Sequence, residues 1–203
     1  MNLFKLHTNP SSLVNFEELQ NTLPYIFFER SDLKTLAEKT RLIAKSAKFS
    51  FKYATEILDA RFPEGEAVIA KDPDFAYLYA RDIINGPWPE GEVAIAKDSE
   101  NSYQYATNIL QGSFPEGEDA IASGEEAAYL YSKYVLNGPF KKGEAAIAKD
   151  PIFSLQYAKT VIKQPFPAGE ASIAKHHHSA EKYAKEVLNK DFYYNGELIA
   201  KAK

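Results

Sequence analysis

His7, His176, His177 and His178 are the only histidines in the 203-residue chain, and cysteine is absent. The missing thiols remove disulfides, thiolate zinc sites, iron–sulfur clusters and cysteine nucleophiles. Histidine-based catalysis would have to use one of those four rings. His176-His177-His178 stands where other parts of the chain read Asp-Pro-Asp, at the start of a helix. Three successive residues there point in different directions, unlike an i,i+4 pair on one face. The preferred reading is a polar helix start, with adventitious nickel or zinc binding at most. No G-x-S-x-G elbow, phosphate-cradling glycine loop or H-E-x-x-H occurs, and Asp-rich calcium loops are absent. The paired carboxylates Glu125-Glu126 and Glu116 with Glu118 are better explained as negative charge at helix N-termini. Glu66, Glu92, Glu118, Glu144 and Glu170 recur in step with Tyr53, Tyr79, Tyr105, Tyr131, Tyr157 and Tyr183. Active sites are seldom copied this often, so these columns read as structural. The expectation is no catalytic residue, no metal and no cofactor.

The elements that carry these residues follow from the repeat. Gly65, Gly91, Gly117, Gly143 and Gly169 are 26 residues apart, and the next, Gly196, comes 27 later. An Ile-Ala pair marks the same phase at Ile43, Ile69, Ile95, Ile121, Ile147, Ile173 and Ile199. In the copy from Pro63 to Gly86, Pro63 suits the first helical position and Glu64 and Glu66 favour the positive helix end. Ala67 to Ala70 then make a short apolar helix. Asp72-Pro73 is a cap followed by a second start. Phe75, Ala76, Tyr79, Ala80 and Ile83 give that second helix one apolar face. Asn85-Gly86-Pro87 stops it, with the glycine just past its end. The word glycines (Gly65 and its counterparts) read as punctuation, one per copy. Alanines at Ala44, Ala70, Ala96, Ala122, Ala148 and Ala174 let helices approach. Phe62, Trp88, Phe114, Phe140, Phe166 and Phe192 form an aromatic plug between copies. A buried Tyr hydroxyl and a half-buried carboxylate both need partners. The Glu column is therefore expected to bond backbone N–H groups or Tyr hydroxyls of adjacent copies.

Each copy is too small to bury its own apolar face, so neighbours must stack. The expected fold is all-α: an α-solenoid (superhelix) of about six two-helix copies. Residues 1–42 would form an N-terminal helical cap, with Ser12 to Glu29 as its helices. Helical repeats would fill 43–198, and 199–203 would be the C-terminal end of a single structural domain. Asp191 to Lys203 would close the array. At 45% hydrophobic and 13% aromatic residues the chain can fill a core. No segment reaches the roughly 18 apolar residues of a membrane span. A soluble, cytoplasmic protein without membrane contact is expected.

The stretch AIAKDPDFAYLYARDIINGPWPEGEVAIAKD resembles the 26-residue repeat of uncharacterised tailed-bacteriophage proteins, and the likeness covers roughly residues 43–200. A weaker likeness is to leucine-rich variant repeats, which fold as a superhelix of alternating helices. Their iron–sulfur cluster does not carry over, because this chain has no cysteine. The phage resemblance implies a viral protein acting in the host cytoplasm, and implies no activity.

Charge is unevenly placed along the chain. Residues 86–132 hold nine acids and one lysine, a net of −8, whereas residues 133–203 hold 12 bases and seven acids, a net of +5. An acidic surface suits a basic partner. Helical phase places Leu78, Arg81, Gln104, Leu130, Lys133 and Tyr134 on the exposed face of second helices. Together with Glu116, Asp119, Glu125 and Glu126 they are the expected partner-binding residues. The leading reading is a protein-binding module that modulates or inhibits a host or viral protein. Other readings are an acidic nucleic-acid mimic against a host defence enzyme and a small-molecule-sequestering helical protein. The latter would need a pocket between the N-terminal cap and the first copies. The scattered C-terminal lysines argue against direct nucleic-acid binding. A homo-oligomer would join the acidic middle of one copy to the basic end of another.

Overall fold

The computed structural model describes residues 36–202. The expected cap helices over Ser12–Glu29, the pocket beside them and His7 lie outside the described residues. The chain divides into two compact units, one ending at Ile95 and one beginning at Ala96. Among the described residues the fold is all-α, a series of twelve short helices followed by one small hairpin.

The first unit contains α1 (Leu36–Ile43), α2 (Ala47–Lys52), α3 (Pro63–Ile69), α4 (Pro73–Tyr79) and α5 (Pro89–Ile95). Pro63 and Pro73 sit at helix starts, where a missing N–H costs nothing. Asp72 caps α4, its carboxylate accepting from the N–H groups of Asp74 and Phe75 at 3.1 Å each. Helices α2 and α4 do not end where their α-helical bonding does. Each continues as a π-helical turn, Tyr53–Leu58 and Ala80–Ile84.

The second unit repeats the pattern. Its second helices are α6 (Ser99–Tyr105), α8 (Glu125–Leu130), α10 (Pro151–Gln156) and α12 (His177–Lys182), each running into a π turn. The first helices of its copies are α7 (Glu118–Ile121), α9 (Glu144–Ile147) and α11 (Glu170–Ile173), each preceded by one 3-10 turn. Helices α6, α8, α10 and α12 pack side by side in that order.

Every π turn is followed by one residue at positive φ: Asp59, Asn85, Gln111, Asn137, Lys163 or Asn189, at 47–54°. The glycine stop expected at Gly86 is thus displaced by one residue. Asn85 takes the left-handed turn, and Gly86 then donates back to the Ala80 carbonyl at 3.2 Å. Asparagine tolerates this region better than most residues. Lys163 and Gln111 show that the fold imposes it regardless of side chain.

The word glycines are more than punctuation. A Cβ at Gly65 would lie 2.5 Å from the Phe62 ring and 2.6 Å from the Ser50 Cβ, and one at Gly117 would lie 2.4 Å from the Phe114 ring. The closest approach of first and second helices is therefore at the glycine column, whereas Ala70, Ala96, Ala122, Ala148 and Ala174 are only half-buried. Facing the glycines is a fully buried column in which Ser50, Ser102 and Ser154 alternate with Ala76 and Ala128.

The last copy breaks the helical pattern. Residues expected to continue the repeats to 198 instead form β1 (Phe192–Tyr194) and β2 (Glu197–Ala200), antiparallel, with Tyr193 opposite Leu198. Asn195 and Gly196 make the turn at φ 51° and 84°. Asn-Gly is the favoured pair for a two-residue hairpin turn with both residues at positive φ. Tyr193-Tyr194 also prefers strand. The helical copies thus end at Leu188. Among the described residues no helix is long and apolar enough to cross a membrane.

Candidate functional site

The Glu and Tyr columns meet. The Tyr79 hydroxyl donates to Glu66 at 2.8 Å and accepts from the Phe62 backbone N–H at 2.8 Å. Tyr131 repeats this with Glu118 and Phe114, both at 3.1 Å. Tyr157 does so with Glu144 at 2.8 Å and Phe140 at 3.2 Å, and Tyr183 with Glu170 at 2.9 Å and Phe166 at 2.8 Å. The expected Tyr hydroxyl is the partner, but it comes from the same copy, 13 residues on, rather than from the next. The same ring then packs on the plug of the following copy: Tyr79 on Trp88 at 5.0 Å, Tyr131 on Phe140 and Tyr157 on Phe166 at 5.1 Å. Burial pushes these hydroxyls above the ordinary tyrosine range, to about 12 for Tyr131. Arg61 grips Glu66 with two bonds of 2.7 and 2.8 Å and holds its carboxyl below the usual range. Each hydroxyl is thus doubly engaged and neutral at physiological pH.

His176 and His177 are likewise engaged. His176 takes the cap position that Asp72, Asp98 and Asp150 hold elsewhere, its Nδ1 accepting from the Ser179 N–H at 3.3 Å. His177 faces Glu181 at 3.3 Å. Among the described residues no cluster of three or more His, Cys, Asp or Glu side chains is placed to hold a metal ion.

The surface residues separate into groups. In the second unit Glu126, Leu130, Lys133 and Tyr134 follow at helical spacing along α8 and its π turn (Tyr131–Val135). Tyr134 is 56% exposed. The Lys133 ammonium lies 4.7 Å from the Tyr134 ring centre and 5.5 Å from that of Tyr129. These are cation–π distances. Gln104 lies on the neighbouring α6, where it donates to Glu100 at 2.6 Å. Tyr103 on α6 is half-buried, and burial pushes its hydroxyl upward with the Glu100, Tyr134 and Glu126 charges adding to the effect. The outer faces of α6 and α8 thus carry aromatic, amide, carboxylate and ammonium groups together.

Other expected residues lie elsewhere or are less available. Leu78, Gln104, Leu130, Lys133 and Glu125 are half-buried rather than exposed, because neighbouring second helices cover their flanks. Glu116 and Asp119 belong to the 3-10 turn and α7, and Asp119 is bound by Lys142 at 2.7 Å. In the first unit Arg81 chelates Asp82 at 2.6 and 2.9 Å and lies 5.4 Å from the Tyr77 ring centre. Among the exposed apolar residues that were not expected are Val93 at 69% and Ile152 at 52%. Column comparison could have found both: Val93 stands with Ala67, Asp119, Ala145 and Ala171, and Ile152 with Asp74, Glu100 and Glu126.

No protein-family model, curated protein or solved structure matches the chain.

Proposed function

We propose that the protein is a non-enzymatic binding module that docks a second protein on the outer face of α6 and α8. The observation that carries this reading is Tyr134, 56% exposed and flanked by the Lys133 ammonium. Tyrosine is a common interface anchor, because its ring offers a large contact area at little cost in side-chain entropy. Glu100 and Glu126 beside them suit a partner with basic residues. The repeated Glu and Tyr side chains are spent on internal bonds, which leaves the variable columns to bind. The phage resemblance of the repeat word makes the partner a host or viral protein, modulated or inhibited in the host cytoplasm. An acidic nucleic-acid mimic is the weaker alternative. Asp98 caps α6, Glu118 is bonded by Tyr131 and Asp119 is paired with Lys142. Affinity capture from bacterial lysate tests the reading. One protein should be retained by the wild type and lost with Tyr134→Ala and Lys133→Glu. Recovery of no specific protein, or equal recovery by the variants, sinks it.

A further inference from the structure

A second surface lies at the C-terminal end of the second unit. Within each unit, a second helix that has a successor presents an apolar residue to it. Phe51 sets its ring 5.8 Å from Phe75. Tyr129 stacks on Phe153 at 5.7 Å and reaches the Thr160 hydroxyl at 3.4 Å. Leu155, next in that column, is 4% exposed under α12. The last residue of the column is Glu181, whose side chain is 54% exposed. No thirteenth helix follows α12 among the described residues. The strand β2 runs beside it instead and leaves an open groove where a next helix would lie.

The groove has a chemistry of its own. His177, His178, Lys182, Lys185 and Lys201 line it against Glu181 and Glu186. Glu186 is already neutralised by Lys159 at 2.6 Å, and Glu181 faces His177. Leu198 supplies the apolar wall, 44% exposed, with its cross-strand partner Tyr193 57% exposed on the same hairpin face. Apolar pairs of this kind are normally covered when a surface has a partner.

From the continuity of the stack and the sign of the lining charge, we infer that this groove seats an acidic amphipathic helix of a partner protein, added as one more second helix. Its carboxylates would pair with Lys182, Lys185 and Lys201, and its apolar stripe would cover Leu198. Helix-in-groove docking of this type is read as apolar anchors at helical spacing. The inference rests on the protein being a binding module but uses a surface separate from Tyr134.

Fluorescence anisotropy with the intact chain tests it. The probe is a labelled Glu/Leu amphipathic peptide of about 16 residues, long enough to form a helix, compared with its Lys/Leu twin. The acidic peptide should bind, more weakly as salt rises, and the twin should not. Lys182→Glu with Lys185→Glu should weaken binding at least about tenfold. Leu198→Ser should weaken it too, and Tyr134→Ala should leave it unchanged. Circular dichroism verifies that each variant is folded, and Lys185→Gln replaces the double variant if that one is not. Equal binding of both peptides, no binding, or indifference to these groove substitutions overturns the inference. So does light scattering that shows a dimer lost in the double variant, which would make the occupant a second copy. Failure here with Tyr134-dependent capture intact would leave the first reading standing.

Discussion

Residues 114–122, FPEGEDAIA, wind into a 3-10 turn and α7, whereas residues 192–200, FYYNGELIA, fold back as β1 and β2. Both begin with an aromatic residue and end in Ile-Ala at the same phase of the 26-residue period. Their plugs are also alike: Phe114 lies 5.1 Å from Tyr105 and Phe192 lies 5.2 Å from Tyr183. What differs is the middle. The glycine moves by one place, and it is needed for two unrelated reasons. At Gly117 the backbone conformation is ordinary, but there is no room for a side chain. At Gly196 nothing lies within 4 Å, but φ is +84°. The comparison teaches that a copy must supply an aromatic plug, while the helix after it is one of two ways to finish.

The largest lever on this comparison is alkaline pH. The buried tyrosines that plug the helical copies and the hairpin are held neutral, with pKa values raised by burial at Tyr53, Tyr79, Tyr131, Tyr157 and Tyr183. A folded pKa above the unfolded value of about 10 gives stability that is whole below pH 10 and lost as pH rises through the folded pKa. The circular dichroism of the helices should therefore be lost only above pH 10. Loss of the helical signal below pH 10 would contradict the shared plug. Next comes Phe192→Ala, expected to cost about 3–5 kcal/mol in urea unfolding, as for other buried aromatics. A loss below about 1 kcal/mol would show that the hairpin does not depend on its plug. Gly117→Ala should cost about 1–3 kcal/mol through overpacking against Phe114 and Ser102. Tyr157→Phe keeps the ring but strands the Phe140 N–H and leaves Glu144 only its bond to Lys141, at about 1–2 kcal/mol. Gly196→Ala should cost about 1 kcal/mol, from the left-handed backbone alone. Equal losses at Gly117 and Gly196 in thermal melts would erase the distinction between the two glycines.

Much of a copy was legible because single residues carry it. Pro63 marks a helix start, Asp72 marks a cap, and the spacing of Tyr and Glu brings donor to acceptor. The π turns were not legible. Tyr79, Ala80, Ile83 and Ile84 suit an apolar face in either helical register, and the choice is made by backbone bonding that side chains do not encode. Nor was the left-handed residue, since Asn85 and Gly86 both tolerate positive φ. The hairpin was hidden by Phe192 and Ile199 standing in phase. Its signals were the one-residue slip of Gly196, the Asn195-Gly196 turn pair and the strand-favouring Tyr193-Tyr194. On the candidate surface Tyr134 stood out from its column, but the half-burial of Leu78 and Leu130 depends on how second helices lie side by side. That is set by contacts between neighbouring helices, such as Phe51 on Phe75 and Tyr129 on Phe153, which a face-by-face reading of one helix does not include.

The doubly engaged tyrosines also bear on how such a gene can change length. Each hydroxyl partner lies 13 residues upstream, with a second 17 upstream, as Glu66 and Phe62 do for Tyr79. The ring partner lies nine residues downstream, as Trp88 does. Every bond of the plug therefore falls within or across one period. Recombination that deletes or duplicates whole periods, such as the 26 residues from Phe114 to Pro139, rejoins each tyrosine to an equivalent glutamate and aromatic. A change of any other length would separate them. The chain can thus gain or lose surface in fixed steps without its interior being redesigned.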